Sequence, residues 1–289
     1  MLHKTSLRLT VLLCLCFPLA LVAADSKTPP AKLTAAQIVD KNIAARGGLQ
    51  AWHAVQTMSW SGKLDAGGGD SIARSRNYVT ERKHHPTKME LLGKKNEKDA
   101  ADKQVQLPFI MEMKRPRKSR VEIEFAGKTA VQVYDGSNGW KLRPFLNRND
   151  VEPFTADELK SEAAKSDLDG PLVDYAAKGT KVELEGTEPV EGRDAYKLKL
   201  TMKNGTVQHV WIDAQNFLDV KVEGTPRRMD GKMHNVSIYQ RDFRPVQGVM
   251  IPFLLETVVD GYPTTHKMII EKAVVNPKLE DSLFAKIAQ

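Results

Sequence analysis

The feature that most constrains the fold is an alternation of apolar and polar residues that recurs along the chain from Val105 onward. Successive side chains of a β-strand point to opposite faces, so an alternating segment buries one face and exposes the other. The apolar members of these segments are Val105-Leu107-Phe109-Met111-Met113, Val121-Ile123-Phe125, Tyr196-Leu198-Leu200-Met202, Leu218-Val220-Val222, Val249-Ile251-Phe253-Leu255 and Met268-Ile270. The pattern predicts about ten strands.

Turn dipeptides lie between the alternating segments. They are Asp135-Gly136, Asn204-Gly205, Asp230-Gly231 and Asp260-Gly261. Asn-Gly and Asp-Gly favour the two-residue turns that join antiparallel neighbours, and the strand–helix–strand alternation typical of a parallel sheet is missing. We therefore predict a mainly β protein of the α+β class, built on an antiparallel sheet.

A sheet of that many strands has to curl, because each strand twists against its neighbour. Curling puts one apolar face inside, and a few helices can cover only part of that face. Either the sheet closes on itself as a barrel, or it forms an incomplete β-barrel with a cavity that something else fills. Because the apolar inner face is larger than the helices can cover, we expect an apolar ligand.

Four segments have helical or turn-like patterns. They are residues 34–46, 49–55, 155–178 and 279–287. Thr34 and Thr155 are each followed three residues later by Gln37 or Glu158, which is the spacing of a capping box at a helix start. In the segment 49–55 we expect Trp52 to point inward. The helices at 34–46 and 155–178 are the predicted lid of the cavity.

The amino terminus has the three parts of a secretory signal peptide. Lys4 and Arg8 precede an apolar run of about 14 residues, which is too short to span a bilayer, and small residues stand before Asp25. We therefore expect residues 1–24 to be cleaved on export to the periplasm. Both cysteines, Cys14 and Cys16, lie inside this run without the small residues that precede a lipid-attached cysteine, so no lipid anchor, thiol or disulfide is expected in the mature protein.

The rest of the chain is predicted to consist of a Pro-rich tether at 25–33 and a single domain at 34–289. Within that domain, residues 66 to 104 carry three consecutive glycines and many charges of both signs, so we interpret this stretch as a long loop.

The chemistry-bearing residues form no catalytic pattern. The motifs Gly-x-Ser-x-Gly, His-Glu-x-x-His and the phosphate-binding glycine loop are all missing, and the seven histidines are scattered. We therefore predict no enzyme activity, no cofactor and no metal site. The chain has 43 Lys plus Arg and 36 Asp plus Glu. This excess of basic residues is too dilute for nucleic-acid binding, although it favours contact with an anionic membrane surface.

Two sets of residues are candidates for binding. Apolar residues that could line a cavity, or simply fill a core, are Trp60, Phe109, Met111, Met113, Phe125, Val133, Trp140, Leu198, Leu200, Val249, Ile251 and Phe253. Basic residues that could dock on lipid phosphates or an acidic partner, or form a solvated hairpin tip, are Lys114, Arg115, Arg117, Lys118 and Arg120.

The order of these features resembles a known family. A signal peptide, an amphipathic helix, the segment Gly47-Gly48-Leu49-Gln50-Ala51-Trp52 and an antiparallel meander are similar to outer-membrane lipoprotein-sorting proteins of the LolA/LolB-like superfamily. Further similarities are Lys114-Arg115-Pro116, Asp135-Gly136 with Gly139-Trp140, Val190-Glu191-Gly192-Arg193, Asp242-Phe243-Arg244, Gly248-Val249-Met250-Ile251-Pro252-Phe253 and Asn276-Pro277.

The resemblance implies an incomplete antiparallel barrel with helices closing one opening. It also implies a carrier or chaperone that takes lipoprotein acyl chains or other lipids through the periplasm towards the outer membrane. The alternative is an envelope signalling or scaffold module that binds another protein through its loops, because related domains sense envelope stress.

Overall fold

The computed structural model describes residues 33–66, 105–144, 148–165 and 167–288. The predicted signal peptide (1–24), nearly all of the tether (25–33) and nearly all of the charged loop (66–104) lie outside the described residues. From Thr34 onward the chain forms one compact unit.

Among its described residues, a single antiparallel sheet of thirteen strands dominates this unit. The strands are β1 (Thr57–Ala66), β2 (Val105–Lys114), β3 (Lys118–Phe125), β4 (Lys128–Tyr134), β5 (Gly139–Arg143), β6 (Arg148–Pro153), β7 (Lys181–Val190), β8 (Arg193–Thr201), β9 (Val207–Asp213), β10 (Asp219–Met229), β11 (Lys232–Val246), β12 (Val249–Val259) and β13 (His266–Val275). The prediction of a mainly β, antiparallel fold is confirmed. The expected count of about ten strands was too low, because β6 has no apolar alternation and the alternations in β5 and β7 are only two apolar residues long.

The order of strands across the sheet is β6-β5-β4-β3-β2-β1-β13-β12-β11-β10-β9-β8-β7. β6 and β7 follow one another in the chain but lie at opposite edges and do not pair. The sheet is therefore an open, incomplete barrel, which is one of the two outcomes that the sequence left open.

Register defines two faces of the sheet. Trp60 on β1 pairs with Met111 on β2 and with Ala273 on β13, so these side chains share one face. We call it the inner face, because the helices pack on it. On the opposite, outer face, Val133 of β4 pairs with Trp140 of β5.

The first predicted helix is confirmed as α1 (Ala35–Ala45), with Thr34 and Gln37 forming the expected capping box. It is followed by α2 (Leu49–Ala54), whose Trp52 is only 2% exposed. Gly47 allows this connection to touch the sheet, because a Cβ there would lie 2.2 Å from the carbonyl oxygen of Gly248.

The helix predicted over 155–178 is wrong in its length. The structure contains α3 (Ala156–Lys165), after which the chain runs through turns from Leu168 to Gly179. Gly170, at a φ of +77°, precedes Pro171, and this pair is incompatible with a continuing helix. The helix expected over 279–287 is a short 3₁₀ helix, Asp281–Phe284.

The two ends of the sheet differ. At the end that carries the turns β2–β3, β9–β10 and β11–β12, the inner face is covered by α1, α2 and the segment 167–179. We call this the closed end. The opposite end, which carries the turns β3–β4, β8–β9, β10–β11 and β12–β13, is called the open end.

Candidate functional site

The inner face at the closed end is a packed apolar cluster. Its buried members are Trp52, Val55, Met58, Phe109, Met113, Val173, Val249, Ile251, Phe253, Ile270 and Val275. Five of the predicted lining residues therefore come together here, at exposures between 1% and 7%. In the structure these side chains contact one another and the helices rather than open space.

A row of half-buried apolar side chains continues this cluster along the inner face. We call it the inner strip; it consists of Trp60, Leu64, Met111, Ile123 and Met268. Register confirms the neighbourhood, because Leu64 pairs with Met268 and Met111 pairs with Val121, two residues from Ile123. The indole nitrogen of Trp60 is buried and has no hydrogen-bond partner among the described residues.

The remaining predicted lining residues lie elsewhere. Leu198 and Leu200 are fully buried on the inner face of β8. Phe125 is 41% exposed at the end of β3, beside a cleft of about 350 Å³ that also contacts Pro108 and Lys128.

Val133 and Trp140 lie on the outer face and are separated from the inner strip by the sheet itself. They pack against the carboxy-terminal segment, including Leu279 and Phe284. An apolar ligand on the inner face would not contact either side chain.

The predicted basic cluster is paired within the chain. Arg115 donates to Asp169 at 2.8 Å, Arg117 donates to Asp167 at 2.7 Å, and Lys118 lies 2.8 Å from Asp281. The other two cations are also engaged, Lys114 with Asp281 and Arg120 with Glu122. These bonds attach the segment 167–179 and the carboxy-terminal segment to the β2–β3 hairpin.

Helix α3 crosses the inner face on polar contacts. Lys141, buried on β5, lies 2.5 Å from Glu158, and Ser119 on β3 donates to Glu162 at 2.8 Å. Burial alone would raise the pKa of Glu158, but hydrogen bonds from Lys141 and Thr155 outweigh it and hold the pKa below the ordinary value of 4.5. A cleft of about 90 Å³ remains beneath this helix.

A contact on the far side of α3 completes a bridge. The hydroxyl of Ser161 lies 3.5 Å from that of Thr225 on β10. The helix therefore contacts β3 and β5 in one half of the open sheet and β10 in the other half, which is the position expected of a lid.

Arg46 connects α1 to the segment 167–179. Its guanidinium donates to the carbonyl oxygen of Asp169 at 3.1 Å, lies 3.6 Å from Asp219, and stacks over the ring of Trp52 at 4.5 Å. Sequence reasoning missed this contact, because Asp169 and Asp219 lie more than a hundred positions away in the chain.

Two further observations concern the chemistry available. Within the described ranges, no group of three or more His, Cys, Asp or Glu side chains is placed to hold a metal ion. Among the helices that the structure describes, none is long and apolar enough to cross a membrane.

The architecture was compared with solved structures. It matches a LolA superfamily protein from Nitrosomonas europaea with a TM-score of 0.52 at 14% identity, covering 88% of this chain and 98% of that one. It also matches a DUF1329 family protein from Desulfovibrio piger, with a TM-score of 0.55 at 13% identity and coverages of 87% and 97%. The chain has the fold of the LolA superfamily.

This similarity is one of architecture. Comparison of the sequence with family models and with curated proteins finds no match. The LolA-like fold accounts for the open sheet and for helices on one face, and both were expected from the resemblance noted in the sequence.

Proposed function

We propose that the protein is a periplasmic carrier or chaperone. It binds acyl chains of a lipoprotein or lipid between the inner face and the helices, and passes them towards the outer membrane. The predicted signal peptide supports the compartment, and the LolA-like fold supports the class of ligand.

The observation that carries this proposal is the inner strip. A half-buried apolar row beside a buried cluster offers a hydrocarbon chain a surface that is already partly dehydrated. Each methylene moved out of water contributes about 0.8 kcal/mol, so a long chain can be held by burial alone. No catalytic group is needed.

Trp60 adds a polar anchor to this surface. A buried N–H without a partner costs free energy, and a ligand carbonyl that accepts from it removes that cost. The linkage between an acyl chain and its glycerol or amine carries such a carbonyl. We infer that the ester or amide group of the ligand lies beside Trp60, with its hydrocarbon along Met111 and Met268.

One observation favours the alternative function, an envelope signalling or scaffold module that binds a protein partner through its loops. Leu198, Leu200 and the five lining residues at the closed end are all at most 7% exposed, as in a core that needs no ligand. If that core stays closed, the loops are the remaining surface for binding. The two functions differ in whether the inner strip takes up an acyl chain.

The test is titration with a fluorescent long-chain fatty acid and with its methyl ester. Met111→Glu places a charge on the inner strip, whereas Ile110→Glu places it on the outer face at the next residue, which is 44% exposed. We expect Met111→Glu to weaken binding of both probes by about tenfold or more, in line with the cost of putting a charge in an apolar site. Ile110→Glu should bind like the parent.

Trp60→Phe keeps the ring but removes the N–H. It should weaken binding of the ester while leaving the contribution of the hydrocarbon chain intact, and Trp140→Phe, on the outer face, is its matched control. Absence of saturable binding by the parent would contradict the carrier proposal, as would equal effects of the inner-face and outer-face variants.

A further inference from the structure

The β10–β11 hairpin extends beyond the sheet at the open end. The pairing of β11 with β12 ends at Val236, yet β10 and β11 continue to pair with each other as far as Met229 and Lys232. One more backbone hydrogen bond, from Asp260 to the carbonyl oxygen of Asn235, lies just past Val236, three residues from Lys232. At about 3.3 Å per residue, the turn therefore stands roughly 10 Å beyond that bond. We call residues 227–233 the hairpin tip.

Contacts from one side support this hairpin. Tyr262, in the β12–β13 turn, donates from its hydroxyl to Asp230, and its ring packs edge-on against His234 at 5.1 Å between centroids. The ring nitrogen Nδ1 of His234 lies 2.9 Å from the carbonyl oxygen of Asp260. The hairpin tip is thus held in position on a braced two-stranded ribbon.

The composition of the hairpin tip is amphipathic. Arg227, Arg228 and Lys232 are exposed, and none of them forms an ion pair with a described residue, although Arg228 donates to the carbonyl oxygen of Gly231 at 3.1 Å. Met233, directly across the ribbon from Arg228, is 56% exposed. The one acid of the hairpin tip, Asp230, accepts from the hydroxyl of Tyr262.

The wider distribution of exposed apolar side chains points to the same end of the molecule. Six large apolar side chains of the described residues are more than 40% exposed, and four of them lie at the open end: Val105, Phe125, Val207 and Met233. An exposed apolar side chain beside cations that form no ion pair, as at Met233, matches the boundary between the headgroups and acyl chains of an anionic bilayer.

The closed end has the opposite character. There, the five cations of the β2–β3 hairpin are all engaged by carboxylates of the same chain. The predicted basic cluster is therefore less available to an anionic surface than the hairpin tip, which lies at the other end of the sheet.

We propose that the hairpin tip docks on bilayers that contain anionic phospholipid. Met233 enters the boundary of the acyl region, while Arg227, Arg228 and Lys232 contact headgroup phosphates. This proposal deepens the proposed function, because it places the membrane at the open end of the inner face, where an acyl chain can pass between the bilayer and the inner strip.

The test is flotation of the purified protein with vesicles of phosphatidylcholine alone and of phosphatidylcholine with about one third phosphatidylglycerol. The hairpin variant is Arg227→Gln, Arg228→Gln, Lys232→Gln. Its control, Lys160→Gln, Lys278→Gln, Lys286→Gln, removes the same charge from exposed positions away from the open end. Near an anionic surface each Lys or Arg contributes about 1 kcal/mol, so the hairpin variant should bind anionic vesicles at least tenfold more weakly.

The control variant should bind like the parent, binding should fall with added salt, and vesicles of phosphatidylcholine alone should not bind. Met233→Ser should weaken binding further than Ile110→Ser. Equal losses in the two charge variants would overturn the proposal, because they would show a response to net charge alone. Failure of the parent to bind anionic vesicles would also overturn it.

The vesicle test concerns the docking surface and the fatty-acid titration concerns the carrier function, so either result can be negative without the other. The hairpin variant should retain the parent's affinity for the fatty-acid probe, since its substitutions lie outside the inner strip. A protein that floats with anionic vesicles but binds no probe would contradict the carrier function and leave the docking surface standing.

Discussion

Arg115 is the residue that ties the β2–β3 hairpin to the helices at the closed end. Its guanidinium donates to the carbonyl oxygen of Val55 at 2.7 Å, to that of Trp52 at 3.1 Å, and to Asp169, whose side chain is 2% exposed. Arg115→Gln would leave the carbonyl of Val55 without this donor, the carbonyl of Trp52 with only the backbone N–H of Val55 at 3.2 Å, and the buried Asp169 with Lys178 as its remaining cation.

We expect Arg115→Gln to lower the free energy of unfolding by about 2 kcal/mol or more, measured by urea denaturation. Lys118→Gln is the control, because its partner Asp281 is exposed, and it should leave stability unchanged. Equal losses in the two variants would contradict a structural role specific to Arg115.

The pKa of Asp167 determines how much its ion pairs stabilise the protein as the pH falls. Burial alone would raise its pKa, but the hydrogen bond from Arg117 and the charges of Lys178 and Arg117 outweigh it, so the pKa lies below 3.8. A carboxylate with a depressed pKa in the folded state stabilises the protein above its unfolded pKa, and this contribution is lost as the pH falls through the folded pKa.

The difference in unfolding free energy between the parent and Asp167→Asn should therefore shrink as the pH falls from about 5 to about 2. Thermal unfolding of both proteins at several pH values across that range measures this difference. Glu183→Gln, on the exposed edge strand β7, serves as a control. An advantage that stayed constant with pH would mean that the ion pair of Asp167 contributes nothing.

Much of the site was predictable at the level of single residues. Alternation correctly placed Phe109, Met111 and Ile251 on the inner face, because successive side chains of any β-strand point to opposite faces of the sheet. The partners of the basic cluster were not predictable. Arg115 and Asp169 are 54 positions apart, and no local pattern connects them.

Among the elements, α3 is the one whose stability should control access to the inner strip. Thr155 caps it, accepting from the backbone N–H of Glu158 at 3.3 Å, while Glu158 accepts from the backbone N–H of Thr155 at 2.8 Å. Loss of such a cap costs about 1 kcal/mol, which corresponds to about a fivefold change in a local opening equilibrium.

Thr155→Ala should therefore speed amide hydrogen exchange in α3 about fivefold and leave β12 and β13 unchanged. Thr34→Ala is the matched control, because it removes the corresponding cap from α1, and it should leave hydrogen exchange in α3 unchanged. If Thr155→Ala altered exchange throughout the sheet, α3 would be part of the global core rather than a separately opening lid.

The two predicted lid helices show what local patterns can and cannot fix. Capping spacing located the start of α1 and of α3, because a cap is satisfied within four residues. The end of α3 was missed, since a cap fixes only the start of a helix and the residues after Lys165, such as Leu172 and Val173, are buried by tertiary packing of the segment 167–179.

For the whole molecule, strand patterns predicted a curled antiparallel sheet, whereas the choice of an open barrel over a closed one came from the family resemblance and is confirmed. That outcome depends on β6 and β7, which are consecutive in the chain yet occupy opposite edges. β6 has no apolar alternation, and the short one in β7, Val182 and Leu184, does not reveal that the strand lies at an edge. Closure is set by how the complete sheet wraps, which no single segment encodes.

The central claim is that this open sheet holds an acyl chain on its inner face. Native mass spectrometry of the protein, purified gently from the periplasm of the producing cells and followed by solvent extraction, tests the claim most directly. We expect additional mass that extracts as phospholipid or acylated peptide and that is reduced in Met111→Glu but not in Ile110→Glu. A bare mass that stays bare after incubation with lipid vesicles would contradict it and would leave the inner face as a closed core.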